Sequence, residues 1–274
     1  MSGCTKISDG CRSCYALRML NRNLPSHSGP EPTFHPDRLD VPLHWRKPRR
    51  IFVCSMSDLF HEAFTDEQID RVWDVMTTEN HTKAGSWNGT RWTWYPHHTF
   101  MVLTKRPERM REYVLGRQEK ARRYADQFND CPTEAMQNSP AAVAARQHAS
   151  EPDAGVWLGV TAENQARADE RIPILLDTLA AVRFVSVEPM LEPVDLRQWM
   201  DEEDIDPEYG PLGPSGPGPW LDWAICGPET GPGKRPFESK WAVDLRNQCV
   251  AADVPYFDKR DSHADRREFP QEAS

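Results

Sequence analysis

The 274-residue chain, 38% of it hydrophobic, is long enough to enclose one sizeable core and too short for several independent ones. Its formal charge of −9 argues against a protein that coats nucleic acid electrostatically. No window approaches the roughly 18 consecutive apolar residues of a membrane-spanning helix. The N-terminal residues carry cysteines and charges where a signal core would be apolar, so a cytoplasmic protein is expected.

Seven cysteines are an odd number, and three of them, Cys4, Cys11 and Cys14, form a C-x6-C-x2-C loop while Cys54, Cys131, Cys226 and Cys249 are scattered. Without an export signal, that clustering points to metal ligation before disulfides. Gly3, Gly10 and short polar residues allow a tight turn, and a helix is predicted from Tyr15 onward. Thiolates ligate both zinc and iron–sulfur clusters. A structural zinc needs four ligands, and the nearest histidines, His27 and His35, lie in a proline-rich stretch, so zinc requires a distant ligand. A cubane cluster on three thiolates leaves one iron open for a small molecule. Spacing alone leaves both open.

Downstream, short β-branched runs alternate with helical patterns. A strand from Arg50 to Ser55 leads through Met56-Ser57-Asp58-Leu59-Phe60-His61 to a helix capped by Thr65, with Ile69, Val72, Trp73 and Met76 at helical spacing. From Asn80 to His98 the chain is a β-like excursion or a substrate-facing loop; Trp87, Trp92, Trp94 and Arg91 suit base stacking, though packing of the loop on itself is the simpler expectation. The strand Thr99 to Leu103 is followed by Thr104-Lys105-Arg106, with Pro107 at the first position of a helix through Val114. A charged helix and a polar, alanine-rich loop are expected over Arg117 to Pro152. Next come a strand from Val156 to Val160, Thr161-Ala162-Glu163, and a helix from about Asn164 to Leu176 that Pro173 kinks or divides. The strand Val182 to Val187 ends in Glu188-Pro189. An acidic, then Gly/Pro-rich stretch from Asp201 to Pro219 holds no regular structure. A strand from Leu221 to Cys226, a helix near Ser239 to Ala252 and a sixth strand from Val254 to Phe257 complete the series.

Strands of this kind alternating with helices predict a parallel sheet covered by helices, in one domain over residues 1–260, with insertions at about 77–98, 117–152 and 201–219 and a polar tail over 261–274. In such sheets chemistry gathers at the carboxyl ends of the strands. There this sequence places Ser55, Ser57, Asp58, Thr104, Lys105, Arg106, Glu163, Glu188 and Glu229. Each alone is equally a helix cap; their recurrence after five strands argues for function. Residues 1–125 carry 20 Lys and Arg against 14 Asp and Glu, a basic half suited to a phosphate-bearing substrate or, more plainly, to solvated helices.

Several stretches together resemble a known family: bacteriophage and prophage proteins of unassigned function with a three-cysteine motif, similar to radical S-adenosylmethionine enzymes. The stretches are Gly3-Cys4-Thr5-Lys6 through Cys14-Tyr15-Ala16, His44 through Val53, Ser55 through His61, Val102-Leu103-Thr104-Lys105-Arg106-Pro107, Trp157-Leu158-Gly159-Val160, Arg183-Phe184-Val185-Ser186 with Glu188-Pro189, and Gly231-Pro232-Gly233. The resemblance implies an incomplete (β/α)6 TIM-like barrel and a 4Fe-4S cluster on Cys4, Cys11 and Cys14. S-adenosyl-L-methionine would chelate the fourth iron and, cleaved by an external reductant, yield a radical that takes hydrogen from an unknown substrate such as a nucleotide or DNA base. It also implies a three-cysteine-motif partner protein and, for a phage-encoded copy, the host cytoplasm. By position, Tyr15, Ser55, Ser57, Asp58, Thr104, Lys105, Glu163 and Glu188 are the cofactor-binding candidates; no catalytic residue is assigned.

The chain departs from that pattern in three places, one being its C-x6-C-x2-C spacing, which is the spacing of the family but wider than the C-x3-C-x2-C of most radical enzymes. Only Met1, Ser2 and Gly3 stand where such enzymes have a first strand, so a weakly anchored cysteine loop is expected. Gly227-Pro228 replaces a glycine pair after the fifth strand, which removes a main-chain donor. Two alternatives come from other classes. One is a non-catalytic, zinc-stabilised module that binds nucleic acid or protein; the other is a metal-independent barrel hydrolase using Asp58, Glu163 and Glu188.

Overall fold

A computed structural model describes residues 1–21, 29–81, 86–87, 92–93, 98–129, 131, 133–200, 220–260 and 269–270. The Gly/Pro-rich insertion, most of the polar tail and the side chains of Trp87, Trp92 and Trp94 lie outside the described residues.

Six strands form one sheet: β1 (Arg50–Val53), β4 (Thr99–Thr104), β5 (Val156–Thr161), β6 (Val182–Val187), β7 (Trp223–Cys226) and β8 (Tyr256–Asp258). They pair in that order and every pairing is parallel. Between β1 and β4 lies a two-residue antiparallel pair, β2 (Ser86–Trp87) with β3 (Trp92–Thr93). The sheet curls into a half-barrel compatible with an incomplete TIM-like barrel. Because neighbouring sheet strands follow one another along the chain and crossovers are right-handed, the helices gather on one face. The main ones are α2 (Asp66–His81), α3 (Pro107–Asn129), α6 (Gln165–Leu176) and α7 (Ser239–Ala251), after a short α1 (Tyr15–Leu20).

From β4 to β8 both faces of the sheet are covered, which is why these strands read as near-continuous apolar runs, while the edge strand β1 leaves Phe52 exposed. On the helical face Ile69, Trp73, Met110, Ile172 and Leu245 pack against Phe100, Val102, Leu158, Val160 and Val185. The alternate positions, Trp157, Val182, Phe184, Trp223 and Ile225, form a second core on the inner face with Met101, Leu103, Phe257 and Phe269. Gly159 also faces inward: a β-carbon there would lie 2.5 Å from the Phe184 ring, so the glycine makes room for that ring. Above this aromatic floor the inner face turns polar, with Lys105 reaching Thr161 and Lys259 paired with Glu188.

The strands fall within two residues of their expected limits. α2 starts as expected, with Thr65 and Gln68 in a capping box, each bonding the other's main-chain N–H at 3.2 and 3.4 Å. It runs on to His81, past the expected start of the first insertion. The 117–152 segment differs more. α3 continues unbroken to Asn129, and the alanine-rich part is helical, comprising α4 (Glu134–Gln137) and α5 (Pro140–Ser150). Ser139 caps α5 ahead of Pro140, and buried Ala142, Ala145 and Ala149 are small enough for it to lie close. Pro173 sits in the last turn of α6, which runs on to Leu176; only the bond its absent N–H would make is lost. No described helix is long and apolar enough to cross a membrane.

Candidate functional site

The cysteine loop lies across the carboxyl rim of the half-barrel, held from four strand ends. At its start Gly3 bridges Ser57 in parallel: its N–H donates to the Met56 carbonyl (3.0 Å) and its carbonyl accepts from the Ser57 hydroxyl (2.6 Å). Ser2 pairs with Thr33, and the Cys4 N–H donates to the Pro30 carbonyl. Gly3 has φ of +81°, and any β-carbon there would collide with the Glu31 carbonyl. The expectation of weak anchoring is therefore corrected: these bonds fasten the chain start beside the end of β1.

Further along, Asp9–Cys11 forms one 3-10 turn. The Gly10 N–H donates to Glu163 Oε1 at 3.1 Å. Arg235 bonds both Glu229, beyond β7, and the Asp9 carbonyl (2.9 Å). The Tyr15 hydroxyl donates to the Ser55 carbonyl, and Arg18 to the Thr230 carbonyl. Glu163 has no exposed surface and also accepts from Arg171 at 3.0 Å, a guanidinium that reaches the Thr161 carbonyl as well. Burial pushes the Glu163 carboxyl up, but Arg171, the Ser8 hydroxyl and Lys105 outweigh it and hold it below the usual carboxylate range.

Asp58 joins the ends of β1 and β4. Its Oδ1 accepts from the Phe60 N–H (3.0 Å) and the Thr104 hydroxyl (2.7 Å), its Oδ2 from the Lys105 N–H (3.1 Å) and Arg106 (3.2 Å). Four donors fill a carboxylate's acceptor sites. Arg106 also donates to Glu62 (2.9 Å), to the Thr5 hydroxyl (2.8 Å) and, at 3.8 Å, to the Cys4 sulfur. Buried His61 accepts the Ala63 N–H at Nδ1, which leaves its Nε2 proton for Thr5 at 2.9 Å. Burial and Arg106 hold its pKa below the ordinary value, so it is neutral at pH 7.

The thiols are unequal. Burial pushes Cys4 up, and Arg106 only partly offsets this. Burial also pushes Cys11 up, but Lys105 and hydrogen bonds from the Ile7 and Ser8 main chain prevail and hold it below its ordinary value. All three cysteines are free, and Cys4 and Cys14 line one cavity of about 520 Å³ beside α1. Among the described residues, no group of three or more His, Cys, Asp or Glu side chains is gathered closely enough for a single metal ion. Three free thiols thus lie on one short loop, with Lys105 beside Cys11 and Arg106 beside Cys4.

The candidates read from the sequence, Tyr15, Ser55, Ser57, Asp58, Thr104, Lys105, Glu163 and Glu188, all come to this rim. Most of their polar atoms serve the platform: Tyr15, Ser57 and Glu163 bond the loop or its neighbours, Asp58 and Thr104 bond each other, and Glu188 pairs with Lys259. Arg106, Arg171 and Arg235 carry as much of the geometry without standing among them. Arg171 had a visible signal, a charge set among Ala168, Ile172 and Leu175 on the buried face of α6. Away from the rim, Cys226 is fully buried in β7, and His98 is buried and bonds the Arg49 N–H and the Pro42 carbonyl.

Fold and site thus define a parallel α/β half-barrel with a three-cysteine loop clamped across its carboxyl rim. The chain belongs to DUF5131, a family of proteins of unknown function whose profile matches residues 1–84 and 90–271. Comparison with curated proteins and with solved structures gave no match.

Proposed function

We propose that this chain is a radical S-adenosylmethionine-type iron–sulfur protein of phage origin, with a 4Fe-4S cluster on Cys4, Cys11 and Cys14 and S-adenosylmethionine at the cluster's open position. The observation that carries this reading is the clamping of a three-thiol loop, by Glu163, Arg235 and Ser57, over the polar rim of a parallel half-barrel. When bound, the cluster and its sulfonium cofactor supply one-electron reductive cleavage and removal of a hydrogen atom from the substrate.

The protein's part is placement and charge. Lys105 and Arg106, adjacent in sequence, each set a cation beside one thiolate, Cys11 and Cys4 respectively. Such charges and N–H···S bonds tune a cluster's potential. Thr161, Ser186 and the Glu188–Lys259 pair supply inward polar groups for a cofactor's ribose, amino and carboxylate groups, and the aromatic floor excludes water from below. On this reading an external reductant is required, a three-cysteine-motif protein is the partner, and a nucleotide or DNA base is the substrate.

The test is anaerobic reconstitution. Iron and sulfide should reach cluster stoichiometry, and addition of dithionite and S-adenosylmethionine should release 5′-deoxyadenosine, with both lost in the triple Cys-to-Ser variant. Stoichiometric zinc without sulfide, or an intact cluster that never cleaves the cofactor, would sink the proposal.

A further inference from the structure

The cavity beside the cysteine loop has an unusual lining. Besides Cys4 and Cys14 it presents Lys6, Arg12 and Arg18, with Ser13, Asn21, Leu17, Pro30 and Pro232, and among the described residues no carboxylate lines it. None of the rim candidates on the inner face of the sheet lines it. The contacts of its cations are to main-chain carbonyls: Lys6 to Arg12 at 3.3 Å and Arg18 to Thr230 at 3.3 Å. Among the described residues none of the three is ion-paired. Around the same loop Arg106 is matched with Asp58, Arg171 with Glu163, Arg235 with Glu229 and Lys259 with Glu188, while Lys105, on the inner face, reaches the Thr161 hydroxyl. Glu229 does reach Ser13, but Arg235 neutralises it.

In a chain of net charge −9, three unmatched cations in one concavity are a local excess that draws in anions. A single carboxylate would offset only one of them, whereas a phosphate monoester carries about −1.5 to −2 and a diphosphate more. Leu17, Pro30 and Pro232 add apolar surface suited to a sugar or base.

We propose that this cavity is a phosphate-binding site through which a nucleotide, free or within a strand, is held beside the cysteine loop. That the bound phosphate belongs to a substrate rests on the radical-enzyme reading, since Cys4 and Cys14 share the cavity; that the cavity binds phosphate does not.

The experiment uses the full chain purified anaerobically, with iron measured on each sample. A fluorescein-labelled oligothymidylate and ADP are followed by fluorescence anisotropy, the second as competitor, over a salt series. The expected result is binding whose log–log salt dependence has a slope of about −2, as three phosphate contacts on a single strand give. The double variant K6Q/R12Q, in two exposed side chains, should weaken binding at least about tenfold and reduce the slope by about 1.4, two contacts' worth. A control variant on the far surface, K120Q/R122Q/R123Q, should bind as the parent does. Competition by ADP assigns the site to a nucleotide's own phosphates, and binding of the oligomer alone assigns it to a strand. Absence of binding by both probes at low salt, or an equal loss in the control, overturns the proposal. Iron-free protein that still binds through Lys6 and Arg12 removes the radical-enzyme reading and keeps the site; iron-loaded protein that binds neither probe does the reverse.

Discussion

Glu163 links a strand end, a helix and the cysteine loop through two acceptor oxygens, one on the Gly10 N–H and one on Arg171. In Glu163→Gln the amide oxygen can keep one of these bonds, but the Arg171 guanidinium, 2% exposed, loses its counter-charge. Breaking a buried pair in this way costs about 3–5 kcal/mol, which urea unfolding of the variant should show as a lower midpoint at unchanged slope. The carboxyl is held below the usual range, so its contribution is complete above a pH of about 4.3, the unfolded value, and is lost as pH falls through the folded pKa. Parent and variant should accordingly converge in acid, and a gap that stayed constant to the lowest pH would contradict the pairing. Arg106 acts on the sulfur itself. Arg106→Gln removes a cation and the donor to Cys4; under the proposed function, a reconstituted cluster should then be reduced at a more negative potential in an EPR-monitored redox titration.

At the scale of the element, the inner face of the sheet is decided by one complementary pair. Gly159 in β5 lies opposite Phe184 in β6, with no space for a side chain between them. Gly159→Ala forces the ring away and should destabilise by about 1–3 kcal/mol. Adding Phe184→Leu should recover part of that loss, because the smaller side chain gives way. A double variant less stable than either single one would show that the two residues are not packed as described. Helix α5 depends on its start: Ser139→Ala removes the acceptor for the Ala142 N–H and should cost about 1 kcal/mol, measured by the same unfolding assay.

Over the whole molecule, the cysteine loop is fastened by polar bonds and the sheet by apolar packing on both faces, so acid should part them. Glu163 and Glu229 hold the loop, and both carboxyls lie below their ordinary values, Glu229 through its hydrogen bonds from Arg235. Their stabilisation is present above the unfolded carboxylate pKa and fades below it. Hydrogen exchange corrected for intrinsic rate should therefore show amides 8–14 losing protection below a pH of about 4 while β4, β5 and β6 stay protected. Simultaneous loss everywhere would mean that loop and barrel are one cooperative unit.

The sequence by itself determined the series of parallel strands, the cap of α2 and the clustering of three cysteines, because each is written in local periodicity or in spacing along the chain. It also named the residues that gather at the rim, since strand ends are local features. What those residues do was decided only by the tertiary structure. Asp58 and Glu163 read as free carboxylates until the fold brings Arg106 and Arg171 to them across dozens of residues or from a helix face. The alanine-rich segment reads as a loop until α3 offers a surface for α5 to bury. The three residues before Cys4 look too short to anchor anything until Ser57 and Thr33 arrive beside them. A polar group's role depends on which partner removes it from water, and that partner is set by chain topology.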